Sequence, residues 1–188
     1  MRFGGTAPKA LELFHGRPLL AYALDAARDG GCTPTVLVVS DDRVAEASGG
    51  DDVVVVRNEA PERGISSSLQ SALRYLEDDL AVPAAVVGLA DQPLVGAAAY
   101  RAVAAAYDAG ARLAYAAYDG ERGNPVLLGR EHWPEAMALS GDEGARVLLR
   151  RHGGIAVPCG DAGAAADVDT PQDLTELESR WRSPTASE

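Results

Sequence analysis

The sequence predicts an α/β three-layer fold with a mostly parallel sheet. Short β-rich apolar runs alternate along the 188 residues with stretches of helical period. One of these runs, Ala84 to Ala90 (AAVVGLA), has no polar face, as expected of a strand covered on both sides. No internal repeat or linker divides the chain, so residues 1–182 are read as one domain and 183–188 as a flexible tail.

Taken in order, Leu19 to Arg28 reads as a helix, with Pro18 suited to its first turn. Thr35 to Ser40 (TVLVVS) reads as a buried strand, followed by a short helix near Arg43 to Ala47. Asp52 to Val56 is a strand, and Ser67 to Leu76 a helix with Leu69, Leu73 and Leu76 along one side. After the strand at 84–90 come an alanine-rich helix, Gly96 to Ala109, and a strand, Arg112 to Tyr118. Asn124 to Leu128 is assigned to a sheet edge because proline near its start fits an edge. Helices follow at about Glu131 to Leu139 and Asp142 to His152, then a short strand, Ile155 to Pro158. The last helix spans Pro171 to Trp181, with Thr170 as N-cap and Asp173 three residues later.

The formal net charge of −11 excludes a broad nucleic-acid or anionic-membrane surface. An acidic protein that handles phosphates must focus positive charge locally or recruit a cation. Cys32 and Cys159 lack metal-ligand spacing, and His15, His132 and His152 are scattered. Free thiols in a reducing cytoplasm are expected. No signal peptide or apolar run of transmembrane length is read in the chain.

Lys9 is the single lysine among 17 basic residues. It closes Arg2-Phe3-Gly4-Gly5-Thr6-Ala7-Pro8-Lys9, where glycines let backbone N–H groups approach an anion. A lysine kept in so arginine-rich a chain suggests a need for a compact point charge. The run reads as a phosphate-binding loop or as a compositional accident.

In an open α/β sheet, ligands bind beyond the carboxyl ends of the strands. Asp91, directly after the strand at 84–90, is placed there either to hold a hard cation or to start a turn before proline. Asp167-Val168-Asp169-Thr170-Pro171 offers Asp169 as a second metal ligand, or an ordinary helix start. Gly64-Ile65-Ser66-Ser67-Ser68 reads as a base, ribose or phosphate site, or as a capping box from Ser67 to Gln70. Arg122-Gly123-Asn124-Pro125 reads as the wall of a second substrate site or as a hairpin turn. Arg146 reads as facing a phosphate or solvent.

These loops occur in a recognisable order. The runs Arg2-Phe3-Gly4, Pro8-Lys9-Ala10-Leu11, Gly16-Arg17-Pro18-Leu19-Leu20, Gly64-Ile65-Ser66-Ser67-Ser68-Leu69, Ala90-Asp91-Gln92-Pro93-Leu94-Val95, Gly123-Asn124-Pro125-Val126, Ser140-Gly141-Asp142-Glu143-Gly144-Ala145-Arg146 and Asp167-Val168-Asp169-Thr170-Pro171 resemble the MobA-like nucleotidyltransferases. Within that superfamily the chain looks most like the CTP:molybdopterin cytidylyltransferase branch. The Pro-Lys pair and the Gly-Ile-Ser-Ser-Ser-Leu run carry that preference.

The resemblance implies a doubly wound, Rossmann-like fold. It implies transfer of a nucleotidyl group, CMP from CTP, to a phosphorylated acceptor, molybdopterin, with pyrophosphate released. Arg2 and Lys9 would act on the triphosphate, with Gly4, Gly5, Gly64, Ser66, Ser67 and Ser68 binding the nucleotide. Asp91 and Asp169 would hold Mg²⁺, and Gln92, Asn124, Pro125 and Arg146 would face the acceptor. A molybdoenzyme or its chaperone would be the protein partner.

Family members begin with a hydrophobic strand and a Leu-Ala-Ala-Gly-type loop before the arginine. Only Met1 precedes Arg2 here, so that first strand, central in the sheet, is expected to be absent through a late start or a truncation. The alternatives are the same chemistry on another acceptor such as a sugar phosphate, or a nucleotide-binding cofactor chaperone without turnover.

Overall fold

The computed structural model describes residues 8–50, 52–160 and 166–180. Eight strands and seven α-helices follow one another along these residues: β1 Leu13–Phe14, β2 Arg17–Pro18, α1 Leu19–Asp29, β3 Thr35–Val39, α2 Asp42–Glu46, β4 Val53–Arg57, α3 Ile65–Glu77, β5 Ala84–Val87, α4 Ala97–Asp108, β6 Leu113–Tyr118, β7 Glu121–Gly129, α5 Trp133–Met137, α6 Arg146–His152, β8 Ile155–Pro158 and α7 Pro171–Arg180. None of the described helices is long and apolar enough to cross a membrane.

The main sheet has the order β5-β7-β6-β8, and β3 and β4 form a separate parallel pair. β7 is antiparallel to both β5 and β6, whereas β8 is parallel to β6. The three other strands of this sheet therefore share one direction and β7 opposes them.

Side chains of β6 and β7 alternate between two helical layers, as a strand between two covers must. Val126 and Leu128 join Leu69, Leu73, Trp133, Leu148 and Leu149 from α3, α5 and α6. Leu127, with Ala114, Ala116 and Tyr118 of β6, joins Ala99, Tyr100 and Val103 of α4. Gly88 fits this second layer because a Cβ there would run into the Tyr100 hydroxyl.

The sequence placed Asn124 to Leu128 at an edge, and the structure places β7 in the middle. Proline is tolerated there because the β6 ladder breaks its register between Tyr115 and Ala117, and the β5 ladder begins only at Val126. Pro125 thus sits where no ladder needs its missing N–H. The Asp119-Gly120 hairpin joining β6 to β7 has φ of +50° and +84°, the paired positive values of a tight two-residue turn.

Other boundaries move for local reasons. The helix expected from Asp142 begins only at Arg146, because the preceding loop is closed by the Ser140 N–H donating to Glu143 Oε2 at 3.1 Å. The helix expected at 131–139 is a 3₁₀ turn, Arg130–His132, followed by the short α5. The last helix starts as expected: Thr170 Oγ1 accepts from the Asp173 N–H at 3.1 Å, and Asp173 Oδ2 accepts from the Thr170 N–H at 2.8 Å.

Between β3 and β5 lies a cavity of about 680 Å³, lined by Val36, Leu37 and Val38 on one side and Ala84 to Val87 on the other. Among the described residues no strand pairs with β3 on the side away from β4, or with β5 on the side away from β7. The β3–β4 pair and the main sheet thus form two separate sheets on either side of this cavity. Val36, Leu37, Val38, Val86 and Val87 are only half-buried as a result.

A further core cluster, Phe14, Leu19, Val168 and Leu177, ties the β1–β2 hairpin to the segment before α7 and to α7 itself. It draws the amino and carboxyl portions of the described chain to one edge.

Leu148 has no exposed surface and packs under β7. Leu148→Ala is expected to cost ~2–5 kcal/mol of unfolding free energy in a urea titration. A loss below ~1 kcal/mol would show that this layer is not a packed core.

Candidate active site

Asp91 lies just beyond β5, and Asp169 lies between β8 and α7, so both carboxylates sit beyond carboxyl ends of strands that share a direction. The backbone N–H of Val168 donates to the Asp91 carbonyl at 2.9 Å and locks the two loops together. Lys9 comes to the same place from a 3₁₀ turn, Lys9–Leu11. Its Nζ donates to Asp91 Oδ2 and to Asp169 Oδ1, each at 2.6 Å, across sequence separations of 82 and 160 residues.

Burial by itself would lower the Lys9 ammonium, but hydrogen bonds to Asp169 and Asp91, with their charges, outweigh it and raise the ammonium above its ordinary value. The lysine is therefore cationic at neutral pH.

The pair of carboxylates fits a divalent cation. Asp91 Oδ1 is buried and has no hydrogen-bond partner, although its sister oxygen faces Lys9. A buried carboxylate oxygen left without a donor is costly unless something positive reaches it. Asp91 and Asp169 are hard oxygen donors of the kind that magnesium and manganese take.

Gln92 and Asn124 are both buried and are joined to each other. Asn124 Nδ2 donates to Gln92 Oε1 at 3.1 Å, and Gln92 Nε2 donates to Asp167 Oδ1 at 2.7 Å. Tyr118 completes the chain by donating its hydroxyl to the Asn124 carbonyl at 2.8 Å, while burial pushes that hydroxyl well above its ordinary range and keeps it protonated. The network fastens the β7 turn to the two acidic loops. Arg146 is exposed at the start of α6, and Arg122 stacks over Tyr115 at 4.6 Å. Residues 122–125 lie within β7, so the hairpin turn falls at Asp119-Gly120 rather than at the Arg122-Gly123-Asn124-Pro125 run.

The serine loop differs from the expected capping box. α3 starts at Ile65, with Gly64 as N-cap at φ +84°. Ser67 lies inside the first turn and donates to the Gly64 carbonyl at 2.7 Å, while Gln70 turns away to donate to the Met137 and Leu139 carbonyls. Gly64 is required by close approach, since a Cβ would stand 2.5 Å from the Gly141 backbone.

Asn58, which the sequence reading passed over, organises this loop. It is buried just after β4, and its Nδ2 donates to Ser67 Oγ at 2.8 Å and Ser68 Oγ at 3.0 Å. A polar amide directly after the end of β4 was the available signal. Arg2, Gly4 and Gly5 lie outside the described residues.

The raised Lys9 ammonium makes a prediction with a definite sign. Its contribution to stability is fully present below the unfolded lysine value, near ~10.4, and is lost as pH rises through the raised folded value. Lys9→Met should therefore differ most from the parent at neutral pH and converge with it in strong alkali, measured by thermal unfolding against pH. A constant difference across the alkaline range would remove the ion triad as the cause.

Residues 1–156 match the family model described as the MobA-like NTP transferase domain. Nicotine blue oxidoreductase of Paenarthrobacter nicotinovorans is 29% identical over 188 residues, spanning 92% of this chain and 89% of that protein. The structure of Rv0371c from Mycobacterium tuberculosis H37Rv superposes with a TM-score of 0.78 at 26% identity, covering 93% of this chain and 90% of that one. The same protein has been solved in complex with manganese, at a TM-score of 0.75, 27% identity and 93% of each chain. Molybdopterin-guanine dinucleotide biosynthesis protein A of Archaeoglobus fulgidus shares the fold at a TM-score of 0.65 and 17% identity, over 93% of this chain and 91% of that one. With the family model spanning most of its length and a lysine set between two acidic loops, this chain is a nucleotidyltransferase that belongs to the MobA-like NTP transferase family.

Proposed function

We propose that the protein transfers CMP from CTP to a phosphorylated acceptor, molybdopterin, in molybdenum cofactor biosynthesis. The observation that supports this reading most directly is the convergence of Lys9, Asp91 and Asp169 at 2.6 Å contacts. The preference for CTP and molybdopterin rests on the Pro-Lys pair and the Gly-Ile-Ser-Ser-Ser-Leu run. The manganese complex of Rv0371c is consistent with a divalent cation in such a site.

Asp91 and Asp169 would hold Mg²⁺, which supplies neutralisation of triphosphate charge when bound. Lys9 places a point charge beside the same oxygens and stabilises the negative charge that grows on the phosphorus centre and the departing pyrophosphate. Ser66, Ser67 and Ser68 lie near the base and ribose, with Asn58 holding the hydroxyls of Ser67 and Ser68. Gln92 and Asn124, with Pro125, set the acceptor wall, and Arg146 faces its phosphate.

An acceptor phosphate oxygen forms a bond to the α-phosphorus in line, the α–β bridging P–O bond breaks, and its electrons leave with pyrophosphate. No covalent bond to the protein is needed, because positioning and charge neutralisation supply the catalysis.

The name of the Paenarthrobacter relative favours a second reading, an oxidoreductase on the same fold. The assay that separates the two is pyrophosphate release from CTP with Mg²⁺ and molybdopterin. Release that depends on all three supports the transferase; no release with any nucleotide or acceptor removes it.

Asp91→Asn is expected to lower metal-dependent turnover by about 10²-fold or more while leaving the far-ultraviolet circular dichroism unchanged. Full turnover would take Asp91 out of the mechanism. Lys9→Arg should also lose turnover despite keeping its charge, since a planar guanidinium does not replace a compact ammonium between two carboxylates. Wild-type rates in that variant would refute the point-charge role.

A further inference from the structure

We propose that His132, Glu135 and His152 form a second cation site, for a borderline transition-metal ion such as Zn²⁺, at the opposite edge of the sheet from Asp91. One donor atom from each of the three lies within 4.8 Å of the others. His152 Nε2 is 2.5 Å from Glu135 Oε2, and the two imidazole rings are 5.2 Å apart between centroids, tilted by 43°.

The topology separates this cluster from the nucleotide site. His132 follows Gly129, the end of β7, which pairs with Ala84 at the start of β5. His152 precedes Ile155, the start of β8, which pairs with Ala114 near the start of β6. Asp91 follows the far end of β5.

The backbone carrying the donors is held firmly. His132 and Glu135 are one helical turn apart, on either side of Trp133, which is buried and donates to the Leu128 carbonyl at 3.1 Å. Arg130 anchors the same turn by donating to the Glu77, Asp79 and Val82 carbonyls. On the other side, Leu148 and Leu149 are buried and fix α6, whose last residue is His152. Only side-chain torsions remain to adjust, which is what a ligand set built on rigid elements requires.

The donor chemistry selects the ion. Two imidazoles and one carboxylate suit zinc, with bonds of about 2.0–2.2 Å, whereas magnesium prefers oxygen. The exposure of His152 leaves room for water in the remaining positions. A cation here takes the place of the hydrogen bond between His152 and Glu135, the neutral imidazole offering Nε2 as ligand with its hydrogen on Nδ1. Arg151 holds Glu135 Oε1 at 2.8 Å and leaves Oε2 for the metal. Arg151 also reaches Glu143 at 4.0 Å, so its charge can be drawn aside.

The test is titration of the chelator-stripped full chain with Co²⁺, followed by visible absorption, then displacement by Zn²⁺. An Asp91→Asn variant is titrated alongside to remove the nucleotide-side carboxylate. One equivalent of Co²⁺ with the absorption of an imidazole-bound ion is expected in both proteins. His132→Ala and His152→Ala should each weaken it by about 10-fold or more, at least what losing an outer-shell partner costs. Arg151→Ala should retain or tighten it. Circular dichroism verifies that each variant is folded, and Glu135→Gln provides a third, conservative test. No Co²⁺ bound by the parent, wild-type affinity in the histidine variants, or loss of the signal in Asp91→Asn instead would each overturn the proposal.

Discussion

β7 is the constraint on which the rest of this structure depends. It alone runs against its neighbours in the main sheet, pairs on both sides, and sends Val126 and Leu128 to one helical layer and Leu127 to the other. Its two ends do different work. At the start, Asn124 ties into Gln92 and through it Asp167, bringing the hairpin to the acidic loops. At the finish, the Leu128 carbonyl receives Trp133 and sets the turn that carries His132 and Glu135. A register slip of one residue would exchange the two faces and break both connections.

The edge that carries Lys9, Asp91 and Asp169 is assembled from segments far apart in sequence. Lys9 reaches Asp169 because Phe14 and Leu19 share a core with Val168 and Leu177. Hydrophobic burial thus brings the termini of the described chain together, and the ionic contacts take their geometry from it. This order of cause fits the energetics. Lys9 and Asp91 are half-buried and Asp169 is exposed, so their pairing is too weakly screened from water to organise a fold. Their arrangement is a chemical one: a cation between two carboxylates, one of which keeps a buried oxygen free of any donor.

The divided sheet matters for the same reason. β3 and β5 each keep an edge toward a common apolar cavity, and the valines along it, Val36, Val86 and Val87, pack against the core while remaining half-buried. Asp91 stands on the loop that leaves β5, at one boundary of that gap. On its carboxyl side the Asp91 loop is tied to the segment before α7 by the Val168 N–H and by the Gln92–Asp167 hydrogen bond.

The sequence by itself marked most of the segments that become strands and helices, because those depend on local period and on apolar content, but not the short β1–β2 hairpin. It also marked Lys9, Asp91 and Asp169, since each stands in a short motif at a strand or helix boundary, and it set the Thr170–Asp173 cap, whose partners are three residues apart. Tertiary structure decided what depends on distant partners. Pro125 signalled an edge, but a break in the β6 register let it sit in the centre. Ser67 signalled a cap, but the N-cap is Gly64, packed closely against Gly141, and Gln70 found carbonyls more than 60 residues away. Asn58 had only its place after β4 to mark it, and His152 stands far along the chain from the local pair His132 and Glu135. Their partners arrive by packing of separate elements, and that proximity is written in long-range burial rather than in spacing along the chain.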